Sequence, residues 1–136
     1  MGVPVTVTYL GDLHCEAVHG PSGHRIETDA PVDNRGKGEK FSPTDLLGTA
    51  LGTCVLTVMG IAARDRGLPM AGARADVLKE MASQPRRRIG KLTVRITLPA
   101  ALSEKDRTIL ECTARTCPVT ASLSPDTELD LTFDYV

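Results

Sequence analysis

Two of the four cysteines stand where a thiol can do chemistry. In Arg115-Thr116-Cys117-Pro118-Val119-Thr120, Pro118 suits the first position of a helix, which puts Cys117 at the N-cap. The free N–H groups and the dipole at a helix start favour a thiolate, and Arg115 is close in sequence. The same residues also read as a small capping residue before a proline-initiated turn. Cys54 lies in the middle of the apolar stretch from Phe41 to Met59. A thiol there is either inert filler, the usual state of a buried cysteine, or a protected reagent. The two cysteines are 63 residues apart. Cys15 and Cys112 have no such setting and read as structural. No CxxC pair occurs, the separation of Cys112 from Cys117 is poor for zinc, and His14, His19 and His24 all cluster near the start, so no metal site is expected.

The element that must position Cys54 is a helix. Ser42 is a good N-cap, Pro43 fits the first helical position, and Asp45 stands where a capping box wants an acid. Leu46, Leu47, Ala50, Leu51, Cys54, Val55, Val58, Met59 and Ala62 follow at offsets of three and four, a wide apolar face. Gly48, Thr49, Gly52, Thr53 and Thr57 make the other side small enough to lie against further structure. The helix should end near Arg66 at Gly67, a natural C′ residue, with Arg64 and Arg66 complementing the dipole.

Around this helix the patterning predicts strands at residues 3–10, 13–19 and 24–28, a meander in which Val3, Val5, Val7 and Tyr9 form one buried face. A polar, glycine-rich loop from Ala30 to Lys40 leads into the helix. Two paired strands follow at 72–82 and 88–98, then a helix opened by Ser103, a short turn of helix from Cys117 to about Leu123, and a closing strand through Leu129, Leu131, Phe133 and Tyr135. The order β-β-β-α-β-β-α-(α)-β is that of an α+β protein.

The totals narrow the function. The 136 residues suit a single domain, and a formal net charge of −1 argues against a nucleic-acid or membrane-surface role. Arg86, Arg87 and Arg88 read as a solvated hairpin tip. No run of 18 apolar residues exists, so no transmembrane helix is expected. The N-terminus alternates and lacks the basic and apolar regions of a secretory signal, so a cytoplasmic location is expected. With 3% aromatic residues and no Trp, the core must be aliphatic, and dimerisation would bury more of it.

Residues 42–54, Ser-Pro-Thr-Asp-Leu-Leu-Gly-Thr-Ala-Leu-Gly-Thr-Cys, resemble the first cysteine signature of the OsmC/Ohr family, the osmotically induced and organic-hydroperoxide-resistance proteins. Thr116-Cys117-Pro118-Val119 resembles the second, Cys-Pro-Val. The resemblance extends from about residue 5 to 136. It implies an OsmC-like fold in an intertwined homodimer, with central helices packed against curved antiparallel sheets. It also implies a cofactor-free thiol peroxidase for organic hydroperoxides, with Cys54 as peroxidatic nucleophile and Cys117 as resolving thiol. A dithiol reductant, lipoyl-type or a small thiol, would then reopen the disulfide.

Family members place an arginine beside the nucleophile and an acid that holds it. Arg35, ahead of Gly38-Glu39-Lys40, matches the OsmC-type position; Arg25 on the hairpin is the competitor. The usual glutamate after the proline is replaced by Thr44, and Asp45 is the acid that can take its role. Nine helical residues separate Asp45 from Cys54, about 13 Å along the axis and on opposite faces, so Asp45 would have to act across the dimer interface. The rival reading is a non-catalytic OsmC-fold stress protein or a module that binds a small apolar ligand.

Overall fold

The computed structural model describes residues 1–136 and resolves into two compact units, Met1–Leu46 and Leu47–Val136. In the first unit, β1 (Val5–Gly11), β2 (His14–His19) and β3 (Arg25–Asp29) form an antiparallel meander in that spatial order. The three strands fall where the alternation predicts them, within one or two residues. The expected buried face does not: Val5, Val7 and Tyr9 are all more than half exposed. Alternation specifies that these side chains share one face, but a three-stranded sheet held by backbone pairing carries no partner layer of its own. After β3 the chain makes a single 3-10 turn, Val32–Asn34, which polarity alone reads as loop, and then returns to β3, where Asp29 N–H donates to the Phe41 carbonyl.

The long helix α1 (Pro43–Arg66) begins in the first unit and runs through the second. Its start is a capping box: Asp45 N–H donates to Ser42 Oγ at 3.0 Å, and Ser42 N–H donates to Asp45 Oδ2 at 2.9 Å. Its end is the predicted one, with Gly67 at φ +66° and Leu68 N–H donating back to the Ala63 carbonyl. By composition α1 is also long and apolar enough to cross a bilayer, with a mean hydropathy of 1.9 over 18 residues, against the expectation that no such segment exists. Its place is the core of the second unit, where Leu51, Val55 and Met59 are wholly buried.

That core is a sheet ordered β4 (Arg74–Ala82), β5 (Arg88–Leu98), β6 (Glu128–Tyr135). Leu92, Val94, Ile96 and Leu98 of the central strand are buried, as their alternation requires. The sheet is not purely antiparallel: β4 pairs antiparallel with β5, but β6 runs parallel to it. The helices α2 (Glu104–Ala114) and α3 (Pro118–Ser122) lie between β5 and β6 in the chain, and such a crossover delivers the last strand in the same direction as the one it left. Ser103 caps α2 by accepting from the Asp106 N–H, and Leu110 and Ala114 are its fully buried residues.

Within this unit α1 turns its small residues toward the sheet. A Cβ on Gly52 would sit 2.8 Å from Val77 Cγ2, and one on Gly48 would sit 3.4 Å from Leu92 Cδ2. The buried stripe is Gly48, Leu51, Gly52, Val55, Met59 and Ala63, so the glycine side joins the core while Leu47 is exposed. Gly52→Ile should therefore destabilise the protein by about 1–3 kcal/mol through overpacking. Thermal unfolding measures this, and an unchanged midpoint would contradict so close an approach.

Candidate active site

Cys54 and Cys117 both belong to the second unit, and the structure brings them together. Cys117 is the N-cap of α3, with Pro118 at the first helical position as the sequence predicts. Its sulfur accepts from the Thr120 N–H at 3.5 Å, the amide that an N-cap side chain normally satisfies. Cys54 projects from the middle of α1, half-buried and packed against the same apolar core that encloses Cys117. The two thiols share a hydrogen bond, Cys54 donating to Cys117, and the Val119 N–H faces both sulfurs. Proline at the first helical position has no N–H, so the next two amides, those of Val119 and Thr120, are the ones left to point at the cap.

This arrangement separates the two acidities. Burial pushes the Cys54 thiol up, and serving as donor to Cys117 pushes it further, against a smaller opposing pull from the Val119 N–H. Burial also works to raise Cys117, but the Cys54 thiol and the Thr120 and Val119 amides outweigh it and hold Cys117 below the ordinary thiol value. Access runs the other way. Cys117 is 1% exposed, whereas Cys54 keeps part of its surface open to solvent. The pair is thus one reachable thiol backed by one sealed, thiolate-prone sulfur.

The other expected site residues lie in the first unit. Arg35 ends the 3-10 turn with φ +71°, exposed and without an ion pair. Arg25 is exposed and engaged, its Nη1 donating to Glu16 Oε1 at 2.6 Å. Asp45 is partly buried and serves the capping box at the head of α1. Cys15 is half-buried on β2, and Cys112 is exposed on α2.

Comparison with known proteins places the chain. Residues 36–132 match the family model described as OsmC-like protein, so this chain belongs to the OsmC-like protein family, as both cysteine signatures imply. A crystal structure from Psychrobacter arcticus, provisionally named an osmotic stress induced and detoxification response protein, is 48% identical, with a TM-score of 0.90 over 95% of this chain and 93% of that one. An OsmC-like protein from Mycoplasma pneumoniae shares the fold at 15% identity, with a TM-score of 0.83 over 100% of this chain and 98% of that one. An organic hydroperoxide resistance protein from Elizabethkingia anophelis does so at 12% identity, with a TM-score of 0.80 over 100% of this chain and 97% of that one. No curated protein sequence matches.

Because the Cys54 S–H is a principal donor to Cys117, Cys54→Ala should move the Cys117 titration to higher pH. The ultraviolet absorbance of the thiolate against pH reads this directly, and an unmoved curve would mean that the sulfurs do not communicate.

Proposed function

We propose that this protein is a thiol-dependent peroxidase that reduces organic hydroperoxides through Cys54 and Cys117. The observation that carries the reading is the hydrogen bond between two thiols that start 63 residues apart, one reachable and one sealed. The Cys54 thiolate attacks the distal peroxide oxygen. The O–O bond breaks, the alkoxide leaves as alcohol after taking a proton, and Cys54 becomes a sulfenic acid. The Cys117 thiolate then attacks the Cys54 sulfur and water departs, giving a disulfide. A dithiol reductant, lipoyl-type or small, restores both thiols by exchange and leaves as its own disulfide. A resolving sulfur with thiolate character and no direct access to peroxide suits the second step.

The first step needs Cys54 deprotonated against its raised pKa, so a cation is required. By family resemblance that role falls to Arg35, whose guanidinium has no ion pair here, with Asp45 as the acid that orients it; Arg25 is already bonded to Glu16. We further propose that the chain acts as one OsmC-like domain in a homodimer. The exposed row Val5, Val7, Tyr9 and, on β3, Ile26 is apolar surface that a second copy would remove from water. A reducing compartment such as the cytoplasm suits four unpaired cysteines.

The test is consumption of cumene hydroperoxide and of hydrogen peroxide with a dithiol reductant. Cys54→Ser should abolish turnover. Cys117→Ser should leave one turnover and a trappable sulfenic acid on Cys54. Arg35→Ala should lower the rate by about 10²-fold, the scale of losing one charge-stabilising group, while Arg25→Ala should not. Full activity in Cys54→Ser would overturn the reading in favour of a non-catalytic binding module, and equal use of hydrogen peroxide would remove the organic preference.

A further inference from the structure

A second cluster of chemistry-bearing side chains lies wholly in the first unit and plays no part in the thiol reaction. His14 and Asp29 stand directly opposite each other across β2 and β3. Glu39 reaches them from the returning loop, held there because its own N–H donates to Asp29 Oδ2 at 3.0 Å, beside the Lys37 N–H at 3.2 Å. His14 Nε2 is 3.7 Å from Asp29 Oδ2 and 3.8 Å from Glu39 Oε2, and one donor atom from each residue falls within 4.8 Å of the others.

These separations are too long for hydrogen bonds. They are close to the edges of a coordination polyhedron, since two ligands about 2.1 Å from a metal at near-tetrahedral angles lie about 3.4 Å apart. The imidazole is already set for the task. His14 Nδ1 is 2.8 Å from the Asp12 carbonyl oxygen, which can only accept, so Nδ1 carries a hydrogen and Nε2 is the nitrogen turned to the two carboxylates. Metal-bound histidines are held in this way by their other nitrogen.

Asp29 supplies an independent sign. It is 1% exposed, and its Oδ1 is buried with no hydrogen-bond partner, although Oδ2 accepts two backbone N–H groups. A buried carboxylate oxygen with no donor is costly. A cation held by the Asp29 carboxylate would offset that cost.

We propose that His14, Asp29 and Glu39 form a binding site for a first-row divalent transition cation such as zinc, fastening the loop after β3 to the β2–β3 sheet. One imidazole with two carboxylates is a borderline-hard set that favours such ions over magnesium or calcium. The ligand spacing matches no sequence motif because strand pairing and a returning loop, not a helix or a knuckle, assemble it. The site is independent of the peroxidase reading.

The experiment uses the full chain carrying Cys54→Ser and Cys117→Ser, so that those thiols do not compete for metal. Zinc is titrated by calorimetry and cobalt by visible absorption. One ion per chain should bind, with cobalt bands lacking the intense sulfur-to-metal charge transfer of a thiolate site. Zinc should also raise the thermal midpoint. His14→Ala and Glu39→Gln should each weaken binding by at least about 10-fold, the lower end of what changes around metal centres cost. The Glu39 side chain is about half exposed, so the isosteric glutamine leaves folding intact. Absence of binding, or affinity unchanged in both variants, would overturn the site. So would a sulfur charge-transfer band, or a His14 resonance that zinc does not move.

Discussion

The arrangement of the second unit depends on how closely α1 can lie on its sheet. Gly48 and Gly52 leave no side chain between the helix backbone and Leu92 and Val77, so the approach is set by the strand side chains alone. That contact fixes the rotation of α1. With the glycine side pressed on the sheet, Cys54 emerges on a flank of the helix, where the start of α3 can present Cys117 to it. A bulkier helix face would change both the distance and the rotation, and the thiols would lose register. The small residues that look like gaps in an apolar pattern are therefore what aims the sulfur.

The thiol pair then divides two requirements that one cysteine cannot meet together. A sulfur sealed in the core is protected but unreachable, and a reachable sulfur in an apolar setting is reluctant to ionise. Here the helix N-cap gives Cys117 its amide donors, and the Cys54 S–H donates to the same sulfur. Charge sits preferentially on the inner sulfur and access belongs to the outer one. The two-cysteine cycle proposed above would use both properties in turn, with Arg35 compensating the outer thiol at the moment of attack.

The first unit follows a different logic. Its three strands are held by backbone pairing, and its buried polar centre is Asp29 rather than an aliphatic cluster. The carboxylate gathers the amides of Lys37 and Glu39 and thereby shapes the loop that carries Arg35. A charge is thus used where small, exposed strands offer little apolar area, and its unmet oxygen marks the one place in that unit where a further donor is wanted.

Much of this was legible in the sequence because it rests on local rules. The capping box at Ser42, the N-cap at Ser103, the stop at Gly67, the alternation of β5 and the N-cap role of Cys117 need only a residue and its near neighbours, and the element order followed from them. The two cysteine signatures carried the family in the same way. What local rules could not supply was partnership. The alternation of Val5, Val7 and Tyr9 fixes a common face but not whether anything covers it, and β6 alternates identically whether it pairs parallel or antiparallel. The direction of the proton between Cys54 and Cys117, and the meeting of His14, Asp29 and Glu39, exist only once strands pair and helices pack. Sequence determines which groups each element can offer. Tertiary structure decides which of them meet, because distance and burial arise between elements that are remote in the chain.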